Sequence, residues 1–279
     1  MHILQAIIMG IVQGLSEFLP ISSSAHLVIS SNLYKYFTNI EHTELPQEIF
    51  LDIMLHLGTL IAVLIFFRKD IAEMIKAFNT GIKTKDFSSK DAKMALYIII
   101  GTIITVIVAY PLQMAAEFLV NSPSSVGILL VFTGLLLICS EIYSKRLAEK
   151  SENIDFKTSV WVAIAQGLAA LPGFSRSGLT IAAALFNKKE RVAAARYSFL
   201  LSIPVILGAS MIYPFLKIDF SEFITFNWAA IIIGTIVSGI VGYLCIKYFI
   251  KFVGKYSLSF FGYYCIIVGV FTALFFVLH

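Results

Sequence analysis

The sequence predicts an all-α polytopic membrane protein built as an inverted-topology repeat, each half one re-entrant helical hairpin followed by three transmembrane helices. Three observations predict it: a composition too apolar for a soluble core, apolar runs of spanning length with two interrupted ones among them, and basic residues confined to one side. Of 279 residues, 58% are hydrophobic and 14% charged. That is more apolar surface than a soluble domain of this length buries, so lipid is the expected solvent. The net charge of +4 does not point to nucleic acid, because the basic residues sit in short clusters between apolar runs, as membrane loops require. Cys139, Cys245 and Cys265 lie inside apolar stretches without the spacing of a metal knuckle or disulfide framework, and read as inert packing thiols. The apolar start at Ile3 has neither a basic leader nor a small-residue cleavage site, so a removable signal peptide is not expected.

A bilayer core takes about 20 apolar residues as helix. Residues 1–279 read as a single membrane domain of two repeats. The first, 1–143, holds a hairpin over 3–31 and spans over 49–67, 94–112 and 126–143. The second, 144–279, holds a hairpin over 158–187 and spans over 197–214, 228–249 and 257–278. Each hairpin is a short apolar helix, a polar Pro and Ser segment, and a second short apolar helix. With the N-terminus outside and each hairpin returning to its side of entry, 18 of the 21 Lys and Arg fall on the cytoplasmic side, around 68–93, 145–157, 188–196 and 247–255. Lys35 and Lys217 lie outside, and Arg176 is left at the tip of the second hairpin. Treating either hairpin as a true span would erase much of this asymmetry.

Sliding the sequence on itself by 153 positions aligns Gln13-Gly14-Leu15 with Gln166-Gly167-Leu168, Ser22 with Ser175, and Ser24 with Ser177. The first hairpin enters from outside and the second from the cytoplasm, which is the pattern of an inverted repeat. In such folds the two broken helices meet near the midplane, where unwound backbone survives only if protein or water lines it. Gly10 and Gly14, with Gly234, Gly239 and Gly242, suit close helix packing within one chain or between two, which leaves a homodimer open.

The first hairpin reads QGLSEFLPISSSAH over 13–26. Gln13 and Glu17, four apart, share a helix face; Pro20 marks the break, and Ser22 or Ser23 caps the next helix. Ser23 and His26, three apart, lie on one side of that helix. Ionisable groups at such depth are costly and usually functional. The second hairpin carries PGFSRSGLT over 172–180. Arg176 keeps its charge and needs an anion, and its planar fork suits a phosphate. Ser175 can cap the following half-helix, so that two positive helix ends and Arg176 form a diphosphate cradle with Ser22, Ser24, Ser177 and Thr180 nearby. A salt bridge from Arg176 to Glu17 that merely joins the hairpins is the competing structural reading.

A carboxylate beside an anionic substrate implies a bridging divalent cation, Mg2+ or Ca2+, held by Glu17 with Gln13 as a weaker ligand. Asp52 and His56, also four apart, share a face of the first span as a further ligand or proton relay, or else bond each other near the outer interface. Gln166 is placed beside them as support. His2, His42 and His279 carry no signal.

These segments resemble a known family. QGLSEFLPISSSAHL at 13–27 and LPGFSRSGLT at 171–180 are similar to the two signature segments of the undecaprenyl-diphosphatases, the bacitracin-resistance phosphatases. FLDIMLHLGTLIAVL at 50–64 and RYSFLLSIP at 196–204 extend the similarity over nearly the whole chain. The resemblance implies hydrolysis of undecaprenyl diphosphate at the outer face of the bacterial plasma membrane, recycling the carrier for peptidoglycan synthesis and conferring bacitracin resistance. By position it assigns the motif glutamate to Glu17, the serine to Ser23, the histidine to His26 and the diphosphate-binding arginine to Arg176. Where some members carry a second glutamate, this chain has Gln13.

The expected mechanism has Arg176, the helix ends and a Glu17-bound cation hold the diphosphate while Ser23 attacks with His26 as base; attack by His26, or by a water it activates, stays open. The rival reading is a transporter or flippase of an anionic polyprenyl lipid, an architecture that also uses broken helices. It has little use for Glu17 and His26 beside a phosphate.

Overall fold

Apolar runs long enough to cross a bilayer must satisfy their backbone groups internally, and in this chain they do so as helices. The computed structural model describes residues 3–38, 46–120, 122–217 and 220–278; His2, His42 and His279 lie outside them. The described residues form twelve α-helices and no strand, apart from an isolated bridge between Ser151 and Lys189. In chain order they are α1 (Ile3–Ser16), α2 (Ser23–Thr38), α3 (Pro46–Phe66), α4 (Arg68–Thr84), α5 (Lys90–Ala109), α6 (Gln113–Val120), α7 (Pro123–Lys145), α8 (Phe156–Leu168), α9 (Arg176–Phe186), α10 (Arg191–Lys217), α11 (Trp228–Val253) and α12 (Ser259–Leu278). Six of these, α3, α5, α7, α10, α11 and α12, are long and apolar enough to cross a membrane. The chain is a multi-pass membrane protein.

Helix ends follow local chemistry. Ser89 caps α5 by accepting from the Ala92 N–H at 3.3 Å, and Asp155 caps α8 by accepting from the Thr158 N–H at 2.8 Å. Pro111, which lacks an N–H, coincides with the short 3-10 turn Tyr110–Leu112 that separates α5 from α6. Helices α1, α2, α8 and α9 run 14, 16, 13 and 11 residues, all short of the about 20 a span needs. Two helices went unpredicted. α4 lies in the segment assigned to a basic loop, where Ile71, Met74 and Phe78 give a helical period that the surrounding charges mask. α6 is a brief continuation beyond the second predicted span, 94–112.

Without a hydrophobic force between helices in lipid, close packing depends on small residues. Helix α11 lies between α1 and α3, α12 runs along α7, and α5 along α8. A Cβ on Gly58 would sit 2.4 Å from the Thr235 carbonyl oxygen, and one on Gly14 2.8 Å from that of Ser238. The glycines of α1 and α11 therefore pack within this chain.

At the basic end, ion pairs fasten the helix termini. Glu141, fully buried at the end of α7, takes two 2.7 Å bonds from Arg191 at the start of α10, plus the Leu258 N–H at 3.2 Å and the Ser257 hydroxyl at 3.1 Å from the approach to α12. Its four bonds offset the cost of a buried charge. Lys189 pairs with Asp155 at 2.5 Å. Arg196 pairs with Asp70 while lying 5.3 Å over the Phe67 ring.

Glycine substitutions separate contact from propensity. Gly58→Ala drives a Cβ into backbone and is expected to lower stability by about 1–3 kcal/mol in thermal unfolding. Gly208→Ala, with nothing within 4 Å, is expected to be neutral or to gain up to about 1 kcal/mol.

Candidate active site

Breaking a helix inside a membrane frees backbone groups that must find partners. In the first hairpin α1 ends at Ser16, and the turn over 17–21 leads to Ser22, whose φ of 70° is left-handed. Carbonyls around the break take donors from other elements: Cys245 donates its thiol to Leu15 O at 3.3 Å, Cys265 to Pro20 O at 3.4 Å, and Ser177 its hydroxyl to Leu19 O at 2.9 Å, while Leu15 O and Leu19 O also accept from the Leu19 and Ile21 N–H groups. Two of the thiols read as inert packing groups thus serve the break, while Cys139 is exposed. Ser22 Oγ caps α2 at the Ala25 N–H, 3.2 Å, and Ser175 Oγ caps α9 at the Gly178 N–H, 3.1 Å. The two tips are also joined directly, with Ser22 Oγ donating to Phe174 O at 3.1 Å.

Both half-helices consequently begin at the same place. α2 starts at Ser23 and α9 at Arg176, and Glu17 lies between them. The Glu17 carboxylate is 7% exposed. Its Oε1 accepts from Arg176 Nη2 at 2.5 Å; its Oε2 accepts from Ser23 Oγ at 2.7 Å and Gln13 Nε2 at 3.0 Å, with His56 Nε2 3.7 Å away. The predicted salt bridge and the predicted polar cluster are one arrangement. Arg176 Nη1 is buried without a partner among the described residues. A guanidinium with an unused buried donor favours an acceptor-rich anion.

A cavity of about 940 Å3 opens over this cluster, lined by Glu17, Ser23, Ser24, Asp52, His56, Gln166, Ser175 and Arg176 among largely apolar walls. Its lining reaches Leu4 at the start of α1, Glu48 near the start of α3, Ala109 at the end of α5 and Ser210 late in α10, all at the helix ends away from the fastened basic end. Among the described residues Arg176 is the one Lys or Arg in its walls.

Other predicted residues face elsewhere. Ser22, Ser177 and Thr180 are buried and are not in the cavity lining; Thr180 Oγ1 lies 2.6 Å from Ser198 Oγ on α10. His26 meets neither Ser23 nor the cavity. Its Nδ1 is 2.8 Å from the Ser22 carbonyl and its Nε2 2.7 Å from the Tyr264 hydroxyl. His56 Nδ1 bonds the Asp52 carbonyl oxygen at 2.8 Å. Gln166 Nε2 donates to Thr105 Oγ1 at 3.3 Å, leaving its Oε1 buried and unpartnered among the described residues. Tyr264 and the two capping cysteines were missed, because a lone Tyr or Cys in an apolar run gives no pattern.

No group of three or more His, Cys, Asp or Glu able to cage a metal occurs among the described residues. The acceptors present are Glu17, Asp52 and Glu48 in the cavity walls, with the unpartnered Gln13 Oε1 behind Glu17. Such a set fits a cation completed by phosphate oxygens, the usual manner of Mg2+, which takes one or two carboxylates and otherwise substrate and water.

Comparison with known proteins places these residues in context. The family model described as bacitracin resistance protein BacA matches residues 6–271. A protein of Methanobrevibacter smithii named undecaprenyl-diphosphatase is 40% identical over 97% of this chain and 96% of its own. A Halothermothrix orenii protein of the same name is 41% identical over 97% and 96%, and one from Rubrobacter xylanophilus 36% identical over 95% and 94%.

The central ion pair has a measurable signature. Glu17→Ala and Arg176→Ala are each expected to destabilise by about 3–5 kcal/mol, because each leaves a buried charge unpaired, and the double variant by clearly less than their sum. Additive losses in thermal unfolding would show that the pair carries no coupling.

Proposed function

The chain belongs to the bacitracin resistance protein BacA family, and from that premise we propose that it is a phosphatase converting undecaprenyl diphosphate and water to undecaprenyl phosphate and inorganic phosphate. This returns the lipid carrier to peptidoglycan synthesis. It also withdraws the diphosphate that bacitracin traps, hence resistance. The observation that carries the reading is the Ser23–Glu17–Arg176 cluster beneath a largely apolar cavity with, among the described residues, a single Lys or Arg. An apolar wall accommodates a prenyl chain and the guanidinium its phosphates.

The geometry supports a substrate-triggered nucleophile. In the structure Glu17 is shared between Arg176 and Ser23. An arriving diphosphate competes for Arg176, whose Nη1 donor has no partner among the described residues. Relieved of its counter-ion, Glu17 accepts the Ser23 proton as Ser23 Oγ attacks the terminal phosphorus. The P–O bond to the bridging oxygen breaks, and undecaprenyl phosphate leaves. Water then attacks the phosphoserine, releasing inorganic phosphate and restoring the hydroxyl. Arg176 and the N–H groups opening α2 and α9 stabilise the charge developing on the phosphoryl oxygens. Where Mg2+ or Ca2+ binds, Glu17 and Asp52 would hold it, and it would supply further neutralisation of that charge.

The inverted repeat belongs to the same reading. Offset by 153 positions, Ser23 corresponds to Arg176, each opening the second helix of its hairpin. Helix α1 packs on α11 of the other half, and α8 on α5. With the basic end cytoplasmic, the cavity faces the outer side of the plasma membrane. The names of the relatives favour hydrolysis over lipid transport.

Phosphate release from undecaprenyl diphosphate by purified protein in detergent with Mg2+ tests the proposal. Ser23→Ala and Arg176→Ala are each expected to lose about 100-fold or more in kcat. Wild-type turnover in Ser23→Ala removes the serine route, and in Arg176→Ala the site itself.

A further inference from the structure

His26 lies beside the nucleophile in sequence, yet neither ring nitrogen is available to it. The Ser22 carbonyl can only accept, so His26 Nδ1 at 2.8 Å must carry the proton and Nε2 is the bare nitrogen. Nε2 therefore accepts from the Tyr264 hydroxyl at 2.7 Å. The two rings stack at 7° with centroids 5.7 Å apart, so the Ser22 carbonyl fixes the tautomer and the tyrosine holds the ring plane.

What that histidine holds is the strained end of the first hairpin. The Ser22 carbonyl accepts from the His26 side chain and also from its backbone N–H at 3.2 Å. Ser22 is the residue with φ 70°, a conformation that persists only when its surroundings impose it. The next residue along α12, Cys265, bonds the Pro20 carbonyl at 3.4 Å. Adjacent positions of α12 thus grip the chain at Pro20 and, through His26, at Ser22. The segment between them delivers Ser23 to Glu17.

We propose that Tyr264 is a positioning residue for the hydrolysis, acting through His26 to hold the left-handed Ser22 and so aim Ser23 Oγ at Glu17 and the phosphorus. His26 then works as a neutral tether and not as the base. The proposal rests on the phosphatase reading above.

The test compares Tyr264→Phe, His26→Asn and His26→Ala in detergent with Mg2+ and undecaprenyl diphosphate, recording kcat, KM and melting temperature. Tyr264→Phe keeps the ring and loses one hydroxyl. It is expected to lower kcat about ten-fold, the scale of one hydrogen bond, with KM and melting temperature unchanged. Asn places an N–H near the position of Nδ1, so His26→Asn is expected to retain activity that His26→Ala loses. Wild-type kcat in Tyr264→Phe, or a rise in KM at constant kcat, overturns the tyrosine's role; equal loss in His26→Asn and His26→Ala overturns the tether. Should Tyr264→Phe fail to fold, the two His26 variants decide. No turnover by the wild-type protein would instead count against the phosphatase reading.

Discussion

An ion pair of 2.5 Å between Glu17 and Arg176, held where lipid surrounds the protein, sets the conditions for everything around it. Neither charge can be left alone at that depth, so the two hairpin tips that carry them must meet. Meeting requires the helices to stop short of the far surface. Around the stop the carbonyls of Leu15, Leu19 and Pro20 accept from α11, α9 and α12, those of Leu15 and Leu19 in addition to a backbone N–H. The pair thus determines where helices break and which neighbours must supply a thiol or a hydroxyl. It also leaves the second guanidinium nitrogen, Arg176 Nη1, buried without a partner among the described residues.

The six spans were legible because a bilayer imposes a length and a composition that few other constraints produce. The two hairpins were legible from their interruptions, Pro20 and the serines in one, Pro172-Gly173 and Ser175 in the other. Helix α4 was not, since its charges imitate a loop and only the period of Ile71, Met74 and Phe78 betrays it. Within the site, spacing told which residues share a helix face but not where a side chain turns. Gln13 and Glu17 do bond each other, as their four-residue interval allows. Ser23 and His26, three apart, turn opposite ways: the hydroxyl back across the break to Glu17, the imidazole out to Tyr264. Partners that distant in the chain leave no mark in local sequence.

The two ends of the molecule are built to different standards. Ion pairs such as Arg191 with the buried Glu141 fasten the basic end, while the other end surrounds a cavity that reaches past the first turns of α1 and α3. A closed end and an open one give the protein a single working face. Charge fastens the closed end and also determines how the chain sits in the bilayer, so orientation and access follow from the same lysines and arginines.

Ser23 opens α2 and Arg176 opens α9, positions that the proposed repeat makes equivalent. Two identical halves would present either two hydroxyls or two guanidinium groups at these positions, and neither pair can both seize a phosphate and attack it. The chemistry therefore demands divergence between copies that the architecture would otherwise keep alike. In the proposed mechanism one half contributes the reacting oxygen and the other the grip on the anion. On that proposal the protein holds one centre made of two unequal contributions.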